Sequence, residues 1–379
     1  MPLEAKAFHE WLNQSRREGS TAGSLSFLDR GLSSSPFREN APRVYSLLNA
    51  PLSSRVDERF SSLSNPFPTR RQPLPPMQPL TFLSDATTHA CLAVLDKTPA
   101  GLEARWYGRQ ADVNTGLWSA SKSVNALAVL ARLGSVGVEG HVSGLRLHNL
   151  ERPHPSMSLG DVLLDITSYR RGDDGSNAAA RTLGRLLGNR SRTEFLHTNT
   201  GREVSLCGFY GGALLFERPV VALDTGAVVL TSPETDDVKG LNRLSVSDLT
   251  RLHVQASFHR FLTNPQRIES VSDEALSTWT WAMAHDPARY VDVACDHLGL
   301  MADLEDVAIA TKLGFGQDSP TEPFEAVYSG VVQFTERRSG RLRAMSLTLK
   351  ATHPDAVLLD CSLAADVCAI VRRLVDDAL

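Results

Sequence analysis

The stretch Leu117-Trp118-Ser119-Ala120-Ser121-Lys122-Ser123-Val124-Asn125 places a Ser-x-x-Lys pair at the mouth of an apolar helix pattern. Three residues make about one helical turn, so Ser119 and Lys122 share a face. A helix N-terminus adds positive potential and free N–H groups. A serine in that position, with a lysine as proton partner, is a candidate nucleophile once burial and neighbours lower the lysine's pKa. Read this way, the chain is an acyl-transfer enzyme. Spacing alone does not carry the reading: with 37 Ser and 6 Lys in 379 residues, about 0.6 such pairs arise by chance.

Composition narrows the field. Hydrophobic residues make up 42% of the chain and charged ones 22%, enough for a large core in one big domain or two ordinary ones. The net charge of −4 gives no basic footprint for nucleic acid. Arg outnumbers Lys 33 to 6, so each well-placed lysine is informative. The five cysteines, Cys91, Cys207, Cys295, Cys361 and Cys368, show no metal-ligand spacing and read as reduced thiols. The N-terminus lacks the apolar core of a secretory signal, and no apolar run reaches the ~18 residues of a membrane span. A cytoplasmic location is therefore expected, with export by a non-Sec route as the alternative.

Residues 1–80 differ from the rest. They hold 13 of the 37 Ser and end in the Pro-rich run Pro73-Leu74-Pro75-Pro76-Met77-Gln78-Pro79. A short amphipathic helix is expected near Phe8–Arg17. The remainder reads as an extended or partly disordered arm, or else as a cap wrapped over the main domain. From residue 81 the sequence becomes globular. His89–Leu95 and Leu102–Tyr107 read as strands joined by the turn Asp96–Gly101. The helix that starts at Ser119 has an apolar face of Val124, Leu127, Leu130 and Leu133 and stops at Gly134. Further helices are expected over Met157–Leu164 with Ser158 as cap, over Asn177–Leu187 ended by Gly188, and from Ser245–Leu252 with Ser245 or Ser247 as cap. Val307–Lys312, Phe324–Phe334 and Leu342–Thr352 read as three strands, with a turn at Glu336–Gly340, and Asp355–Asp377 as a closing helix. Segregated runs of strands and helices predict an α+β domain over 81–379. Residues 81–117 and 300–379 supply an antiparallel sheet flanked by helices, and 118–299 a mostly helical subdomain.

This order, with Ser-x-x-Lys opening the first helix of the helical block, resembles the serine β-lactamase and penicillin-binding-protein superfamily, most of all the class A β-lactamases. The resemblance covers about residues 85–379. It implies a β-lactamase/transpeptidase-like fold, a Ser119 nucleophile and Lys122 as its general base. The family's Lys-Thr/Ser-Gly motif falls on Lys312-Leu313-Gly314. Leu313 stands where a hydroxyl usually helps hold a substrate carboxylate. Lys312 implies positive potential for an acidic or carboxylate-bearing substrate, and Gly314 a place in the substrate-binding strand. The backbone N–H groups of Ser119 and Phe315 are the implied oxyanion hole. The family's Ser-Asp-Asn motif falls on Gly175-Ser176-Asn177. Asn177 takes the family asparagine's place beside substrate and catalytic lysine. Gly175 replaces the hydroxyl that shuttles a proton to the leaving group, and either Ser176 or Tyr169 supplies that hydroxyl from a loop, because Arg170–Gly175 reads as a flexible insertion. The class A Glu-x-x-Leu-Asn segment has no counterpart in Cys207–Leu241, where Glu217 and Glu234 lack the spacing.

The resemblance thus implies an acyl-enzyme hydrolase or acyltransferase that needs no cofactor or metal. Its substrate is a small or peptide-like amide, ester or lactam, and its partners include neither nucleic acid nor membrane. Two alternatives stay open. One is a catalytically degenerate binding protein on the same fold; the other is a glutaminase-like amidase. His253, His259, His285 and His297 lack metal spacing and read as satisfied or exposed histidines. Trp279 and Trp281 read as core or pocket wall, Asp173-Asp174 as a loop charge pair, and Gly211-Gly212 as a turn.

Overall fold

The computed structural model describes residues 31–51, 65–138, 142–202, 206–233 and 242–379, with positions 8, 10 and 204 besides. Apart from Phe8 and Glu10, the helix expected near the N-terminus lies outside the described residues. In chain order the elements are α1 (Val44–Leu48), β1 (Asn65–Pro66), β2 (Gln78–Pro79), β3 (Thr87–Thr98), β4 (Gly101–Arg109), β5 (Asn114–Gly116), α2 (Lys122–Ser135), β6 (Leu145–Asn149), β7 (Arg152–Ser158), α3 (Leu159–Ser168), α4 (Gly172–Thr200), β8 (Pro219–Leu223), β9 (Val228–Thr231), β10 (Arg243–Ser245), α5 (Val246–Ser257), α6 (Asp273–Met283), α7 (Tyr290–His297), β11 (Leu304–Gly316), β12 (Phe324–Glu336), β13 (Leu342–His353) and α8 (Ala356–Val375).

The main sheet runs β1-β4-β3-β13-β12-β11, with β2 against β4. Its long strands pair antiparallel. Successive side chains on a strand point to opposite faces, and here both faces are covered. Cys91, Ala93 and Leu95 of β3 join the core shared with α1 to α6. Leu92 and Val94 join a second core with α7 and α8. The result is an α+β domain in three layers, helix on sheet on helix, as the segregated pattern predicts.

The helix caps follow the sequence. Ser158 accepts from the Asp161 N–H at 3.0 Å to start α3, and Ser245 accepts from the Asp248 N–H at 3.0 Å to start α5. Gly188 breaks α4, with φ 71° and ψ 163°. Gly134, near the end of α2, lies so close to the next layer that an added Cβ would sit 1.8 Å from the Ser270 carbonyl oxygen.

The structure differs from the expectations in three places. The N-terminal segment does not stay apart from the domain where it is described: Val44, Tyr45 and Leu48 are buried in the first core, and β1 and β2 extend the main sheet beside β4. The helical block carries its own four-stranded sheet, β7-β6-β8-β9. Arg170–Gly175 is not a free insertion either. Tyr169 ends α3 in the left-handed region (φ 53°, ψ 23°), and α4 begins at Gly172 with Asp173 and Asp174 in its first turn, where acidic groups favour the helix dipole. Asn177 therefore sits inside a helix rather than at its start.

Candidate active site

Ser119 lies in a single 3-10 turn, Trp118–Ser121, that leads straight into α2. It is partly exposed, whereas Lys122, one turn on, is fully buried. Trp118 holds a left-handed backbone (φ 47°), uncommon for a bulky residue, and anchors the turn by donating its Nε1–H to Glu325 Oε2 at 2.8 Å. Glu325 is in turn paired to Lys350 at 2.8 Å. Ser121 Oγ donates to the Trp118 carbonyl at 2.7 Å.

Edge strand β11 closes against this turn. A Cβ on Gly314 would lie 2.6 Å from Leu117 O, 2.8 Å from Ala120 N and 2.9 Å from Ser119 N. One on Gly316 would lie 2.4 Å from the Trp118 ring. Only glycine allows the strand backbone so near the serine, which explains the Gly314-Phe315-Gly316 run. Leu313 is buried in the second core and its side chain has no polar group to offer.

Lys122 Nζ donates to Ser176 Oγ at 3.0 Å and to Asn177 Oδ1 at 2.7 Å. Burial lowers its pKa to about 6, helped by the Lys312 charge and opposed by Asp173. A neutral amine has two hydrogens and one lone pair. With both hydrogens directed to Ser176 and Asn177, the lone pair is left to accept a proton. Among the described residues the Ser119 hydroxyl has no hydrogen-bond partner, and Lys122 Nζ bonds Ser176 and Asn177 instead of it.

Lys312 is also fully buried. Its Nζ donates to Tyr169 Oη at 2.7 Å and to the Leu313 carbonyl at 2.7 Å, and it lies 3.8 Å from Asp286 Oδ1. Asp286 has no exposure, and burial raises its pKa to about 6 against the pull of Lys312. The ammonium is thus enclosed and faces an acid, so it does not meet the cleft as an open charge for a substrate carboxylate.

The two candidate hydroxyls separate clearly. Ser176 is buried and donates its hydrogen to the Ile166 carbonyl at 2.9 Å while accepting from Lys122, so it fixes the lysine. Tyr169 is half-buried, with its ring 4.1 Å from Lys312 Nζ and 5.5 Å from Lys122 Nζ. Its hydroxyl sits between Lys312 and the Leu313 carbonyl at 3.2 Å. The left-handed turn after α3 is what brings the phenol to both lysines.

The structure therefore brings Ser119, Lys122, Tyr169, Ser176, Asn177, Lys312, Gly314 and the Phe315 backbone near one another. Gly175 plays no visible part; its added Cβ would meet the Arg171 side chain. Sequence reasoning missed Tyr210 and Asp286. Tyr210 Oη lies 3.1 Å from Ser121 Oγ and accepts from Asn125 Nδ2 at 3.1 Å. Because Ser121 gives its hydrogen to Trp118, Tyr210 is the donor of that pair. Its ring is 5.5 Å from Lys122 Nζ, and burial pushes its phenol pKa up. No spacing rule links Tyr210 or Asp286 to the motif residues. Glu217 is exposed, away from these contacts, and Glu234 lies outside the described residues.

The four histidines make no common cluster. His253 is buried, 3.1 Å from Ser123 Oγ and 3.2 Å from Ser329 Oγ, and burial lowers its pKa to about 3. Trp279 is core and donates to the Ser123 carbonyl. All five cysteines are buried. Among the described residues no helix is long and apolar enough to cross a membrane.

No family model matches the sequence, and no curated protein matches it. Solved structures do match. The chain is similar to the chromosome-encoded β-lactamase of Vibrio parahaemolyticus, at 12% identity over 76% of this chain and 94% of that one, with a TM-score of 0.45. It is similar to a β-lactamase from Xanthomonas campestris pv. campestris at 16% identity, 76% and 91% coverage and a TM-score of 0.44. A β-lactamase from Chitinophaga pinensis gives 14% identity, 77% and 94% coverage and a TM-score of 0.45. These likenesses are of fold only.

Proposed function

We propose that the chain is a serine hydrolase or acyltransferase working through an acyl-enzyme. The observation that carries this reading is Lys122: a buried amine with a pKa of about 6, both of whose hydrogens are taken by Ser176 and Asn177, one helical turn from the Ser119 hydroxyl, which has no hydrogen-bond partner among the described residues. In this mechanism Ser119 Oγ attacks an ester, amide or lactam carbonyl while its proton passes to Lys122 Nζ. The N–H groups of Ser119 and Phe315 hold the developing oxyanion, which the glycine-lined approach of β11 makes sterically feasible. Tyr169, hydrogen-bonded to Lys312, gives its hydroxyl proton to the leaving group and regains one from the Lys122 ammonium, so that the proton taken from Ser119 ends on the leaving group and Lys122 is again neutral. Water or another acceptor then takes the acyl group.

The enclosed Lys312–Asp286 pair favours a neutral acyl donor over one that must bind through a carboxylate. The reading is tested by incubating the protein with a panel of activated esters and β-lactams and measuring intact mass. A single adduct that disappears in Ser119→Ala supports it. No adduct with any member, or an adduct that survives in Ser119→Ala, rejects it in favour of a binding protein on this fold.

A further inference from the structure

Asp165 lies near the C-terminal end of α3 and is 1% exposed. A carboxylate that deep needs a cation beside it. The two cations paired with it belong to the residues that follow Tyr169. Its Oδ1 accepts from Arg170 Nε, and its Oδ2 lies 3.2 Å from Arg171 Nε as an ion pair without a hydrogen bond. Arg170 reaches further back along the helix, where Nη2 donates to Asp161 Oδ1 at 2.8 Å and to the Asp161 carbonyl at 3.3 Å. Asp161 is fixed in turn by Ser158 Oγ, which donates to its Oδ2 at 2.6 Å.

These contacts need the chain to turn back. A continuing helix would put Arg170 about 140° and Arg171 about 240° around the axis from Asp165. The reversal is made at Tyr169, whose φ of 53° and ψ of 23° are left-handed. The Gly172 N–H closes the turn on the Tyr169 carbonyl at 2.7 Å. A bulky residue holds that conformation only where its surroundings over-determine it. Here the ion pairs and the left-handed residue require each other. The same φ aims the phenol. Returning it to the ordinary helical value would swing Cβ about 115° around the N–Cα bond. That carries Oη away from Lys312 Nζ, now 2.7 Å off. Among the described residues no hydrogen bond or ion pair joins Arg170 to Ser119, Lys122 or Lys312, so its reach into the site is through Tyr169.

We propose that Asp165 and Arg170 are positioning residues for Tyr169: they clamp its left-handed turn and so hold its hydroxyl where the leaving group receives a proton. The proposal rests on the acyl-enzyme reading above. The test compares p-nitrophenyl butyrate with ethyl butyrate as substrates of the full chain, in the parent, Arg170→Ala, Tyr169→Phe and the double variant. Ethoxide must be protonated as it leaves; nitrophenolate need not be. Arg170→Ala is expected to lower kcat/KM for ethyl butyrate about tenfold or more. It should leave p-nitrophenyl butyrate within about twofold, which also shows that the variant is folded. In the Tyr169→Phe background Arg170→Ala is expected to cost nothing further, because the hydroxyl it positions is gone. Asp165→Asn is expected to show the same split between the two esters; should it not fold, Arg170→Ala decides. Equal losses on both esters, an unchanged ethyl ester rate or a further loss in the double variant overturns the clamp while the reading of Ser119 stands, as does a parent that turns over the nitrophenyl ester alone. A parent that neither butyrate acylates at Ser119 overturns both.

Discussion

The chemistry assigned to Lys122 makes a quantitative demand on pH. Burial, with the Lys312 charge behind it, lowers the amine from 10.5 to about 6. At pH 7 an unperturbed lysine is neutral in about three molecules per ten thousand, whereas one with a pKa of 6 is neutral in about nine of ten. The fold thus raises the supply of reactive base about three-thousandfold, worth about 5 kcal/mol. The second-order rate of Ser119 acylation by an activated ester, followed by intact mass or released chromophore, is expected to be level above about pH 7. Below about pH 5 it should fall tenfold per unit. Lys122→Arg, which keeps a permanent charge there, should lose about 10²- to 10⁴-fold in rate and with it the pH limb near 6. A rate independent of pH between about 5 and 8, or a limb near 9 to 10, would refute the assignment of Lys122 as base.

Other outcomes follow from the same contacts. Tyr169→Phe keeps the ring beside Lys312 but removes the hydroxyl; turnover of amides should fall about 10²-fold or more, while p-nitrophenyl esters, whose leaving group needs no proton, should be nearly unaffected. Gly314→Ala forces a methyl against the Leu117–Ala120 backbone and should slow acylation at least about a hundredfold, at about 1–3 kcal/mol in stability. Asp286→Asn removes the counter-charge of Lys312. Lys312 is then left in a fully buried site without its facing carboxylate, which should cost about 3–5 kcal/mol of stability at pH 7, read as a lower denaturation midpoint. Because Lys122 has a lower pKa folded than unfolded, the unfolded chain binds the extra proton between about pH 6 and 10.5, and this residue makes stability rise with pH across that window. Lys122→Met should abolish acylation yet raise the melting temperature at pH 7, a trade of function against stability. An unchanged or lower melting temperature means that the lost bonds to Ser176 and Asn177 outweigh the relief from holding the amine deprotonated.

The long strands were legible because their apolar runs and turns are local signals, and the Ser119–Lys122 and Lys312–Gly314 pairs because each is short-range spacing on one element. The small sheet of the helical block was not: β7, Arg152–Ser158, carries Pro153 and Pro155 and is largely exposed, so it shows neither alternation nor a hydrophobic run. The segment before residue 81 reads as an arm from its Ser and Pro content, yet three residues of one turn, Val44, Tyr45 and Leu48, bury it against α6 and β11. Tyr169 could be named from sequence only as one of two hydroxyls; its left-handed turn and its place between two lysines belong to the third dimension. Asp286 reaches Lys312 from 26 residues away along the chain, a separation that no motif records.

All four lysines among the described residues, Lys97, Lys122, Lys312 and Lys350, are buried. The cationic surface of this part of the molecule is therefore made of guanidinium groups, which amine-selective reagents leave alone. Acylation of any of these four amines reports an opening of the structure rather than its surface. A time course of labelling at Lys97, bonded to the Leu48 carbonyl, compared with Lys122, Lys312 and Lys350 around the Ser119 turn, would map which part of the molecule opens first.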